Sequence, residues 1–181
     1  MDAAETLFLK HGLRRVSVDE VCRSAGVSRK TFYVYFTNKD ALTIDLLDKI
    51  IGTLTGGFVE IMRSNVPFIN KMIQFMELKI AFSRKLSMDF IADLTASDEI
   101  SQYYWKKANE NIDIARLLFE QAQEKGDIRS ELDIDFIIYM LNIQMDLCGK
   151  EEFRARFKDG ESMVKQLSEL LLFGIVGSNK G

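Results

Sequence analysis

At 181 residues, 47% of them hydrophobic, the chain can bury a real core as one large domain or as a small domain joined to a medium one. Its single proline, Pro67, and its scarcity of turn-forming clusters speak for helices and against a many-turned β-fold. One histidine, His11, and two distant cysteines, Cys22 and Cys148, offer no zinc-ligand spacing, and no phosphate loop or Ser-His-Asp arrangement supports an enzyme.

The net charge of −3 is unevenly spread. Between Lys10 and Lys39, seven cations (Lys10, Arg14, Arg15, Arg23, Arg29, Lys30, Lys39) stand against two acids (Asp19, Glu20), a local +5 that leaves −8 for the rest. A basic head on an acidic body fits a protein that touches phosphate at one end only.

Asp2 to His11 reads as a first helix, with Leu7 and Phe8 inward and Gly12 as its stop. His11, at its end, suits the negative pole of the helix dipole. Ser17 caps a second helix and, with Glu20 three residues on, forms a capping box. Gly26 ends that helix and Ser28 caps a third. Two short helices joined by such a turn form a helix-turn-helix, whose second helix enters the DNA major groove.

Arg29, Lys30 and Thr31 then occupy the exposed first turn, where side chains reach base edges, and Arg and Lys most often read guanine. Phe32 and Phe36, four apart, point to the core of the head, as does Cys22 in the helix before. Tyr33 and Tyr35 leave that face and can donate to phosphate. Lys39 sits at the next helix N-terminus, itself an anion site.

Thr37 or Asn38 caps this fourth helix, which runs from Lys39 to about Arg63 and belongs to both head and body. Gly52, Gly56 and Gly57 each cost about 1 kcal/mol inside a helix. Close packing or a bend at Gly56-Gly57 would explain the pair. A fifth helix starts at Pro67 and a shorter one spans Ser87 to Ala96. A long one opens at Ser97 and stops at Gly126, another begins at Asp133 or Asp135, and a last follows Gly160-Glu161-Ser162. The sum is an all-α chain of about nine helices. The longest apolar run, from Leu170 to Phe173, is far too short to span a bilayer, so no membrane partner is expected. Reduced thiols in the cytoplasm are the expected state of the cysteines.

Leu7-Phe8, Gly12, Ser17-Val18, Ala25-Gly26-Val27-Ser28, Thr31-Phe32-Tyr33, Tyr35-Phe36, Lys39 and Leu42 together resemble the N-terminal domain of the TetR family of bacterial transcriptional regulators. The likeness covers about the first quarter of the chain. Two departures stand out: Lys30 occupies a position where the family often has Gly, and the first helix opens at the start of the sequence, so the family's leading basic turn is short or missing.

The resemblance implies a helix-turn-helix DNA-binding domain over 1–48 and a ligand-binding and dimerisation bundle over 49–181. Residues aligned with Tyr33, Tyr35 and Lys39 often contact phosphate in the family. With Ser17, Ser28, Arg29, Lys30 and Thr31 they make the expected DNA-binding set. A ligand cavity is implied among the middle helices, where Met62, Met72, Phe75, Met76, Phe90 and Trp105 are candidate apolar lining and Lys79, Tyr104 and Gln144 candidate anchors. The last two helices carry apolar stripes wider than one partner needs, and the resemblance places them in a homodimer interface. Phe136, Ile137, Met140, Leu141, Met163, Leu167, Leu170, Leu171 and Gly174 are the candidates.

The expected function is a cytoplasmic, dimeric regulator of transcription, released from a double-stranded operator by a small hydrophobic effector, with no cofactor and no metal. The alternative is a helical binding module whose head is not used for specific DNA binding.

Overall fold

The computed structural model describes residues 1–94 and 98–175, with the side chains of Asp98, Asn111, Gly174 and Ile175 left aside. Ten helices and no strand occupy the described residues: α1 (Asp2–His11), α2 (Val18–Ala25), α3 (Arg29–Tyr35), α4 (Lys39–Arg63), α5 (Phe68–Ser83), α6 (Met88–Asp93), α7 (Asp98–Glu124), α8 (Ile134–Cys148), α9 (Glu151–Arg154) and α10 (Gly160–Ile175).

Local chemistry sets most of these boundaries. The capping box forms in full: the Ser17 hydroxyl accepts from the Glu20 N–H at 3.2 Å, and Glu20 Oε2 accepts from the Ser17 N–H at 2.8 Å. That backbone hydrogen bond holds the Glu20 carboxyl below its usual pKa. Ser28 caps α3 through the Thr31 N–H, and Asn38, not Thr37, caps α4 through the Ala41 N–H. Asp133, not Asp135, caps α8 by accepting from the amides of Asp135 and Phe136. The expected cap Ser97 lies outside the described residues, as does the end of the short helix expected to reach Ala96. Gly26 adopts φ +68° and turns the chain between α2 and α3.

The count of nine is corrected to ten by α9. It is a single turn tied back to the end of α8, where Arg154 Nη1 donates to the Cys148 carbonyl at 3.0 Å. Four residues are too few for a periodic apolar pattern, which is why the sequence hides it.

Two apolar cores result. One gathers Phe8, Leu9, Leu13, Cys22, Phe32, Leu42, Leu46 and Leu47 from the first four helices and the α1–α2 loop, and it also takes in Phe90 of α6 and Ile100 of α7. The other joins Phe58, Met62, Phe68, Met72, Phe119, Ile134, Ile137 and Leu172. Helix α4 serves both, Leu42–Ile50 in the first and Phe58–Met62 in the second. It runs unbroken through Gly56-Gly57, and of the two explanations for that pair, close packing accounts for Gly57. A Cβ there would stand 2.7 Å from Leu78 Cδ2 of α5, while one on Gly56 would meet open space.

The head is fastened to the body a second time, through α6. The Ser87 N–H donates to the Leu9 carbonyl at 2.8 Å, and Asp93 Oδ2 accepts from the Arg14 N–H at 2.9 Å. Gly12 makes the approach possible, with φ +81° and a site where a Cβ would lie 2.7 Å from Asp93 Oδ2. Gly12→Ala would combine backbone strain of about 1–3 kcal/mol with that collision. It is expected to lower thermal stability and loosen this fastening, read as faster hydrogen exchange at the Ser87 amide. Unchanged melting and exchange would contradict the assignment.

Candidate nucleic-acid interface and the body behind it

Helix α3 is rooted by Phe32, which is buried and meets Phe36 at 5.6 Å and Tyr33 edge-on at 5.2 Å between ring centroids. Because Phe32 and Phe36 point inward, the rest of this short helix points out. Arg29, Lys30, Thr31, Tyr33 and Tyr35 are all exposed. Val34 is exposed as well, and the sequence reading passed over it. It lies four residues after Lys30 on the same face, where an apolar side chain can meet a thymine methyl. The inward 32/36 pair was the signal that could have found it.

Not every expected contact residue is free for DNA. Arg29 Nε pairs with Asp19 Oδ1 at 2.6 Å, bracing α3 against α2. Such an exposed pair is worth about 0–1 kcal/mol, so the rest of the guanidinium remains available and the pair is readily exchanged for another anion. The hydroxyls of Ser28 and Thr31 bond to each other at 2.9 Å, and that of Ser17 is held within the capping box. These serines shape the turn. Lys30 makes no ion pair among the described residues.

Lys39 needs correction as a side-chain phosphate ligand. Its ammonium donates inward, to the carbonyls of Leu13 at 2.7 Å and Val16 at 3.2 Å, and so ties the α1–α2 loop to the start of α4. What it leaves toward solvent is chiefly the open helix N-terminus. Hydrogen bonds from a charged donor contribute about 1.5–3 kcal/mol, so Lys39→Ala is expected to lower the melting temperature of the head as well as its DNA affinity. A variant that melts like the parent but binds DNA more weakly would restore the direct-contact role.

In the body, the candidate cavity residues separate. Phe90 is 1% exposed and belongs to the head-side core, so it has no surface to offer a ligand. Met62 and Met72 are packed within the body core. Phe75 and Met76 lie at its edge, with Phe75 against Phe58 at 4.6 Å. Trp105 and Gln144 are half-buried, and the Trp105 ring stands 5.7 Å from that of Tyr104. Lys79 holds its ammonium 5.1 Å from the Phe75 ring centroid, and desolvation pulls its pKa down to about 8. Tyr104 is pushed up to about 12, first by burial and then by the Cys148 thiol.

The outer faces of α8 and α10 also need one correction. Ile137 and Met163, expected at a dimer interface, are 2% and 1% exposed within the protomer, so no partner can reach them. Met140, Leu141, Leu167 and Leu171 are half-buried. Gly174 lies outside the residues whose surroundings are described. The side chains left uncovered are Phe136 (55%), Tyr139 (61%), Leu170 (72%) and Phe173 (72%), three apart on each helix.

Among the described residues no helix is long and apolar enough to cross a membrane, and no group of three or more His, Cys, Asp and Glu side chains is placed to hold a metal ion.

A helix-turn-helix with an outward basic and aromatic helix, carried on an all-helical body, is an arrangement with which proteins meet nucleic acid. Residues 1–46 match the family described as bacterial regulatory proteins, tetR family. The chain is similar to the HTH-type transcriptional regulator EthR of Mycobacterium tuberculosis, 44% identical over 48 residues. That match takes in 26% of this chain and 22% of the relative's length. It is also similar to the HTH-type transcriptional repressor KstR2 of Rhodococcus jostii, 22% identical over 147 residues, or 78% of this chain and 72% of that one. The whole fold resembles the Bacillus subtilis transcriptional regulator FadR solved in complex with stearoyl-CoA. The TM-score is 0.71 at 20% identity, with 96% of each chain covered.

Proposed function

We propose that the chain is a homodimeric transcriptional regulator, a repressor released from its double-stranded operator by a small, largely hydrophobic effector. In this reading residues 1–48 read DNA, residues 49–181 bind the effector and dimerise, and the protein works in the cytoplasm. The observation that carries it is the outward row on α3: Arg29, Lys30, Thr31, Tyr33, Val34 and Tyr35 exposed around the buried root of Phe32. Two such helices in a dimer must meet major grooves about 34–36 Å apart, or a multiple of that spacing. An effector that favours a different separation of the heads therefore lowers operator affinity, by the difference in its own affinity for the two arrangements.

The test is fluorescence anisotropy on duplexes from the DNA upstream of the protein's own coding sequence, taken across a salt series. Affinity should fall steeply with salt, because phosphate contacts release counterions. Lys30→Ala should cost about 1–3 kcal/mol and relax sequence preference, while Tyr35→Phe should weaken all sequences alike. Binding that survives both substitutions unchanged would show that α3 is not the reading helix.

A further inference from the structure

The ion pair between Arg29 and Asp19 stands where the reading helix meets the helix before it. Arg29 is the first residue of α3, at the positive pole of that helix, where a cation gains nothing from the dipole. Asp19 lies in the first turn of α2, where a carboxylate is favoured. Backbone and caps hold the two turns in fixed relation. Ser17 and Glu20 box the start of α2, Ser28 caps α3, and the Val27 N–H donates to the Cys22 carbonyl at 3.0 Å. The carboxylate is thus a fixed point, and the arginine is a long side chain steered by it.

Where the contact falls matters more than its energy. Asp19 Oδ1 stands 2.6 Å from Nε, and among the described residues nothing else engages the guanidinium. Nη1 and Nη2 remain, and two parallel N–H groups are what guanine O6 and N7 accept. Without the carboxylate, the guanidinium would turn on its flexible stem and settle on any phosphate in reach. Such a contact adds affinity for every sequence alike.

We propose that Asp19 is a positioning residue for base reading: it holds Arg29 by the Nε side, so that the Nη edge meets a guanine and stays off phosphate. Sequence preference is a difference between two affinities, and Asp19 widens it chiefly by lowering the unspecific one. The inference rests on the reading of α3 as the helix that meets the major groove. It adds a residue of α2 that lies outside the expected DNA-contact set.

The experiment takes the full chain and the duplex it binds best from a random-sequence pool, with a shuffled duplex of equal composition as reference. Each guanine is replaced in turn by 7-deazaguanine, which lacks N7. In the parent this should cost about tenfold in affinity at one position per half-site. Asp19→Asn should tighten binding to the shuffled duplex, cut the ratio of selected to shuffled affinity about tenfold, and abolish the 7-deazaguanine effect. Melting should stay unchanged, because an exposed pair contributes little to folding. In an Arg29→Ala background the same change should leave the ratio as it is, since loss of a negative charge alone acts on both duplexes alike. If the ratio or the 7-deazaguanine effect survives Asp19→Asn, the proposal is overturned. The same holds if the parent responds to 7-deazaguanine at no position, or if the ratio falls equally without Arg29. A pool that yields no preferred duplex would overturn the reading of α3 itself, and this proposal with it.

Discussion

Replacing Lys79 with methionine is expected to raise the stability of the ligand-free protein. Its pKa of about 8 against an ordinary 10.5 means that the folded state disfavours the charged ammonium, and a gap of that size corresponds to about 3 kcal/mol. Attraction to the Phe75 ring, 5.1 Å away, returns about 1 kcal/mol, so desolvation wins and the net gain is about 2 kcal/mol. The pH dependence follows from the same gap. Below pH 8 the lysine is protonated in both states and the full penalty applies. Between pH 8 and 10.5 the unfolded chain holds the proton that the folded chain has lost, so the parent gains stability as pH rises, and above 10.5 the penalty is gone. Denaturant melts of parent and variant should therefore differ most at pH 7 and converge toward pH 10.5. A variant less stable than the parent at pH 7 would mean that the ammonium has a partner in solution.

Phe136→Asp combined with Phe173→Asp is expected to give a folded monomer. Both rings are more than half exposed in the protomer, so the substitutions remove little from its own core. In a dimer with these faces joined, four rings are covered, each worth about 1.5–3 kcal/mol, and four carboxylates would take their place. That is enough to dissociate the dimer at micromolar concentration. Sedimentation and circular dichroism should report half the mass with unchanged helicity, and operator binding should collapse because one head spans one half-site. A double variant that still sediments as a dimer would place the interface elsewhere. Ile137→Asp is the contrast: it should unfold the chain, since that side chain is enclosed.

The head was legible because its structure is written in neighbouring residues. Ser17 with Glu20, Gly26, Ser28 and the Phe32/Phe36 spacing each fix a boundary or a face within four positions. The body was legible as helices and much less so as surfaces. A helical period reports that Phe136 and Ile137 are both apolar, yet it cannot say which turns to the chain's own core and which is left outside. Phe90 went astray for the same reason, since the core it joins is built by residues of other helices, α1 among them. The inward reach of Lys39 is a contact across 26 residues, and the Asp93–Arg14 bond one across 79. Nothing local announces either.

The fastening of α6 to α1 bears on how proteins of this architecture can be recombined. A head cut out at residue 48 would leave behind Phe90 and Ile100, which fill its core, and Asp93, which closes the loop after Gly12. Joined to a foreign body, it would meet an empty socket and an unanswered amide. A chimera between two such proteins should therefore exchange α6 and the opening turns of α7 along with the first four helices, so that the inherited unit follows the packing rather than the order of the chain.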